Sequence, residues 1–95
     1  MARMVEIEVR KWSGVGKDRT LGWQHISVEE GLRLRDETFR CPECLGRVRL
    51  MSASKNPPMA AHGEHFQRNK GCSLGDCFDG KKRIHSSPLM PVPHP

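Results

Sequence analysis

The chain has 95 residues, a net charge of +5, 36% hydrophobic residues and five aromatics, two Trp and three Phe. That is material for one small domain with a modest core. No apolar run is long enough to span a membrane, and no hydrophobic stretch follows the basic residue near the N-terminus; neither a membrane protein nor a secretory leader is expected, and the expected compartment is the cytoplasm.

Residues 4–12, MVEIEVRKW, alternate. Val5, Ile7 and Val9 fall on one face and Glu6, Glu8 and Arg10 on the other, the period of a half-buried strand. Residues 13–22, SGVGKDRTLG, read as a turn. Gly16-Lys17 superficially suggests a phosphate-binding loop, but that motif needs glycine where Lys11 stands and serine or threonine where Asp18 stands. Trp12 and Trp23 bracket the segment, and in a hairpin their indoles can pack across strands.

Residues 27–37, SVEEGLRLRDE, carry a helix start: Ser27 caps, Glu30 completes a capping box, and Val28 and Leu32 share a face. Gly31 costs about 1 kcal/mol relative to alanine, so a short helix is expected, with an exit turn over 36–38. The strand TFR then leads into Cys41-Pro42-Glu43-Cys44-Leu45-Gly46, and RVRLM over 47–51 alternates again. Residues 52–59 read as a turn at Pro57-Pro58, and 60–66, AAHGEHF, as a short return strand. Four prolines in the last ten residues place 86–95 outside the fold, leaving a single domain over 1–85.

The four cysteines are the strongest signal. A reducing compartment favours metal over disulfide, and a domain this small commonly needs a staple. Two cysteines spaced C-x2-C can fill two corners of a tetrahedral Zn2+ site from one tight turn. Pro42 stiffens that turn, and Gly46 is expected to take the left-handed conformation after it. The remaining corners must come from His62, His65, Cys72 or Cys77. The preferred set is Cys41, Cys44, His65 and Cys72, with His62, three residues from His65, as the main substitute. A redox pair is disfavoured, because a strand rather than a helix follows Cys44. A catalytic zinc is disfavoured too: HGEH is not His-Glu-x-x-His, and Gly63 opposes a helix.

The stretch from Phe39 to Cys72 resembles the zinc-ribbon segment at the start of CoiA-like competence proteins, through Cys41, Pro42, Cys44, His62 and His65, with Gly63 where that pattern carries phenylalanine. The resemblance implies a zinc-bearing module near DNA-handling proteins. That family's nuclease domain has no room in this chain. An HNH-like metal-dependent nuclease using His62, His65 and Asn69 is the enzymatic rival.

Charge is uneven. Residues 1–40 hold eight basic and seven acidic side chains, and 41–95 hold eight and four. The positive field of the second half suits DNA or RNA, with Arg47, Arg49, Lys55, Arg68, Lys70, Lys81, Lys82 and Arg83 as phosphate contacts. The expectation is therefore a small α+β, zinc-ribbon-like domain, non-catalytic, that binds nucleic acid. The alternative is an accessory module that docks a protein partner along strand 4–10 or through the proline-rich tail.

Overall fold

The computed structural model describes residues 4–34, 37–56, 58–75 and 77–89. It is a small α+β fold. The strands are β1 (Glu6–Ser13), β2 (Thr20–Ser27), β3 (Phe39–Arg40), β4 (Arg47–Met51), β5 (Ser54–Lys55), β6 (Pro58–Met59) and β7 (His62–His65), with one short helix, α1 (Val28–Gly31), between β2 and β3. Five strands form an antiparallel sheet in the order β2-β1-β3-β4-β7, and β5 and β6 form a separate two-stranded ribbon. The sheet curls on itself: Met4, just before β1, bridges to Gly63 of β7, with the Gly63 N–H donating to the Met4 carbonyl at 2.7 Å. Among the described residues no helix is long and apolar enough to cross a membrane.

The alternation read from β1 holds for Ile7 and Val9, both fully buried, but not for Val5, which is half exposed. Val5 and Glu6 both face outward, so the period slips and Met4 turns back into the core. β1 is also not an edge. It lies between β2 and β3, and the open edge of the sheet is β2. The expected turn over 13–22 is shorter than its glycines suggest. β2 begins at Thr20, and a single 3-10 turn at Gly16–Asp18 makes the reversal. Gly14 has φ +93° there, and a Cβ would lie 2.5 Å from the Asp18 carbonyl oxygen. The indoles are diagonal neighbours on one face, Trp12 opposite Leu21 and Trp23 opposite Arg10. Each lies under a guanidinium, Arg19 over Trp12 at 4.8 Å and Arg40 over Trp23 at 4.2 Å.

Ser27 caps α1 as expected, accepting from the Glu30 N–H at 3.1 Å. The helix is a single turn, and Leu32 lies beyond it, exposed. Gly31 is there for close approach: a Cβ would lie 2.6 Å from Leu50 Cδ1 and 3.0 Å from Ile7 Cδ1. Asp36 of the expected exit turn lies outside the described residues.

Among the described residues the buried apolar side chains are Met4, Ile7, Val9, Ile26, Val28, Val48, Cys41, Cys44 and Cys72. Three of these nine are thiols. The aliphatic core is therefore small, and the cysteine cluster is part of it rather than an attachment to it.

Of the C-terminal segment expected to lie outside the fold, residues 86–89 run against it. The His85 N–H donates to the Cys44 carbonyl at 2.8 Å, the Leu89 N–H donates to that of Leu45 at 2.7 Å, and Arg40 Nη1 donates to the Leu89 carbonyl at 2.6 Å. Residues 90–95 lie outside the described residues.

Candidate metal centre

The first two donors come from the β3–β4 connection. The Cys41 N–H donates to the Gly46 carbonyl at 2.8 Å, and the Leu45 N–H to the Cys41 carbonyl at 2.9 Å, which closes the turn. Backbone amides point at the sulfurs: those of Cys44 and Glu43 at Cys41, and that of Gly46 at Cys44. The left-handed residue of this turn is Leu45, at φ +64°, not Gly46 as the glycine suggested. Gly46 serves a different need. The His85 ring packs on it, and a Cβ there would lie 2.6 Å from His85 Cδ2 and 2.9 Å from its Cγ.

The third sulfur comes from a second turn. The Cys72 N–H donates to the Asn69 carbonyl at 3.1 Å and the Gly75 N–H to that of Cys72 at 3.2 Å, while the Leu74 amide points at the Cys72 sulfur. The fourth donor is His65 at the end of β7, opposite Val48 of β4. Val48 points into the core, so the pairing turns His65 inward as well.

The donor atoms of Cys41, Cys44, His65 and Cys72 all lie within 4.8 Å of one another. Cys41 Sγ and Cys72 Sγ are 3.5 Å apart, and Cys44 Sγ and His65 Nε2 are 3.3 Å apart. A tetrahedron with arms of about 2.3 Å to sulfur and about 2.0 Å to nitrogen has edges of roughly 3.5–3.8 Å. The cluster has the size and donor set to hold a metal ion.

The protonation pattern points the same way. The Cys41 thiol donates toward Cys44, and with His65 this holds the Cys44 thiol down at about 3. The Cys41 thiol, as donor and buried, is pushed far up. Burial pushes Cys72 up to about 12, and the Cys44 charge adds to that. A divalent ion replaces the Cys41 and Cys72 protons and satisfies all three sulfurs.

His62 does not join the cluster. On a strand, residues three apart point to opposite faces, so His65 turns toward the cluster while His62, itself buried, lies beside Glu64 on the other face. The His62 ring is already occupied, Nδ1 with the Ala60 carbonyl at 2.9 Å and Nε2 with Glu64 Oε2 at 3.0 Å. The same separation breaks up the His62, His65 and Asn69 set of an HNH-like site, and among the described residues no helix follows β7. Cys77 is half-buried and outside the cluster.

Two supports were not visible in the sequence. Glu43, inside the first turn, reaches the second: its carboxylate accepts from the Ser73 N–H and from Ser73 Oγ, both at 2.6 Å. Those bonds hold the Glu43 carboxyl below the usual carboxylate range. His85 is buried and fully paired: Nδ1 accepts from the Ser87 N–H at 2.9 Å, so Nε2 donates to the Gln67 carbonyl at 3.1 Å. Neither had a local signal, since each acts across 18 residues or more.

The basic residues singled out in the second half are exposed and scattered over several segments. Arg47 lies over the Phe66 ring at 4.8 Å. Arg49 pairs with Glu64, Lys82 with Glu43, and Arg83 with Asp79. Arg49, Phe66 and Arg68 line one cavity of about 480 Å³.

A family model matches the chain over residues 2–90. A protein of Azorhizobium caulinodans, described as an uncharacterized protein, is 41% identical over 87 residues, covering 88% of this chain and 94% of that one. No solved structure matches the chain significantly.

Proposed function

The chain belongs to the family of that model and of the Azorhizobium protein, and from that premise we propose that it is a non-catalytic zinc module that binds nucleic acid. The observation that carries the zinc reading is the filled donor set. Three thiols and one imidazole complete four corners, and Cys41, Cys44 and Cys72 are fully buried. Catalytic zinc sites keep a corner open for water. Three sulfurs with one imidazole favour zinc among the common divalent ions.

The nucleic-acid reading rests on the Arg47–Phe66 stack, with Arg49 and Arg68 beside it. Phe66 is 55% exposed, so it serves a surface rather than the core. Cations around an exposed ring suit a phosphate backbone with bases stacked on it. The test is fluorescence anisotropy of labelled DNA and RNA oligonucleotides with the zinc-loaded chain at several salt concentrations. Affinity should fall with salt, and the triple change Lys81→Ala, Lys82→Ala, Arg83→Ala should lessen that slope by about 0.7 to 0.9 for each phosphate no longer neutralised. Binding that ignores salt, or none, overturns the reading. The open edge of β2 supports the second reading, a protein partner added as a further strand.

A further inference from the structure

The three arginine–aromatic stacks lie on one face of the curled sheet. In β1, Ile7 and Val9 point inward, so Glu8, Arg10 and Trp12 point outward, with Trp23 opposite Arg10. Glu8 pairs with Arg40 of β3, and Arg40 with Arg47 of β4. Phe66 follows β7, its N–H donating to the Arg47 carbonyl at 3.0 Å. The outer face thus carries, strand by strand, Trp12 under Arg19, Trp23 under Arg40, and Phe66 under Arg47.

The outer two stacks are open. Trp12 is 51% exposed and Phe66 55%, while the central stack is closed over, with Arg40 bound to Glu8 at 2.7 Å and to the Leu89 carbonyl. Trp12 stands where β1 and β2 have no third strand, because β3 pairs only with Glu8 and Val9. No residue from 10 to 25 is buried. A two-stranded ribbon with no buried side chain gains little stability from presenting an indole. Charge along the same segment is one-sided: Arg10, Lys11, Lys17 and Arg19 against Asp18.

We infer that this outer face is a track for single-stranded nucleic acid, with bases stacking on Trp12 and Phe66 and the backbone neutralised by Arg19 and Arg47. The inference rests on the nucleic-acid reading above and goes beyond it by naming the single strand as ligand and the β1–β2 arm as half of the site. Single strands leave base faces free to stack, whereas a duplex offers only backbone and groove edges to a convex sheet face.

The chain has two tryptophans and no tyrosine, so its own fluorescence reports the track. The experiment titrates the zinc-loaded full chain with an oligothymidylate of about 12 nucleotides and with a duplex of the same length, following tryptophan emission and anisotropy. Expected are quenching by the single strand and a loss of single-strand affinity of about tenfold or more in both Trp12→Ala and Phe66→Ala, with duplex affinity changed by much less. Zinc content and circular dichroism verify that both variants fold. Parent-like single-strand binding by folded Trp12→Ala overturns the track but leaves the nucleic-acid reading standing. Equal losses on single strand and duplex overturn the stacking mechanism. A parent chain that binds neither oligonucleotide overturns both.

Discussion

The cysteine-bearing end and the β1–β2 arm are stabilised in different ways. The arm is a regular ladder, with eight cross-strand pairs from Glu6–Ser27 to Ser13–Thr20, yet past Val9 and Ile26 it buries nothing. The other end has little regular structure. Its order comes from single bonds between distant segments, 41–46, 65–75 and 83–89, drawn around the four side chains that could hold a metal ion. A ladder tolerates local change because each pair contributes little alone. A four-cornered centre does not, because removing one corner leaves buried sulfurs without a partner. The two ends should therefore answer mutation very differently.

The largest contrast is in the ligands. Cys44→Ser or Cys72→Ser should abolish cooperative thermal unfolding, because the thiols make up a third of the buried apolar side chains and metal binding in small domains supplies much of the folding free energy. A variant that keeps the parent Tm would show that the aliphatic core suffices by itself.

Next comes a matched pair of glycines. Gly46→Ala forces a methyl into the His85 ring, which cannot swing away because both of its nitrogens are bonded; a loss of about 1–3 kcal/mol is expected. Gly22→Ala, in the arm, meets no atom within 4 Å and should stabilise by about 0.5 kcal/mol through reduced unfolded-state entropy. Chemical denaturation of both variants measures the difference, and equal effects would erase the distinction between the two ends.

Glu43 gives a smaller effect. Its folded-state carboxyl sits below the ordinary value of 4.5, chiefly through the Ser73 hydroxyl. A depressed carboxyl contributes stability above its unfolded value and loses it only as pH falls through the folded one, so the contribution is fully present at neutral pH. Glu43→Gln should thus lower zinc affinity roughly tenfold at pH 7, as losses of outer-sphere partners do. Competition with a chelator at that pH measures it; parent-like affinity would contradict the assignment.

The smallest effect belongs to the arm. Trp12→Ala should shift stability by no more than about 0.5 kcal/mol, since the indole is half exposed, at the end of an arm with no buried residue over 10–25.

The same division explains what could be read in advance. Signals confined to a few neighbouring residues carried through: the alternation of Ile7 and Val9, the Ser27 cap, the C-x2-C turn and the strand at 47–51. The preferred donor set of Cys41, Cys44, His65 and Cys72 also came together, but other features that depend on a partner far along the chain were not legible. Gly46 looked like the left-handed residue because turn chemistry is local, whereas its real constraint is the ring of His85, 39 positions on. His62 stood as the substitute for His65 because the two are only three residues apart, and strand pairing sends them to opposite faces. The tail composition predicted no structure, yet Leu89 is held by backbone bonds, which leave no side-chain signal in the sequence. Trp12 lies on the outward face that the alternation of 4–12 implies, whereas nothing near Phe66 marks it as exposed.

The most direct test of the central claim is the metal content, by elemental mass spectrometry, of the chain purified without added metal, alongside Cys41→Ser, His65→Ala, Cys72→Ser and His62→Ala. The account predicts one zinc per chain in the parent and in His62→Ala, with loss of zinc and of folded-state signals in the other three. A folded parent without metal, or zinc lost in His62→Ala and kept in Cys72→Ser, would contradict it.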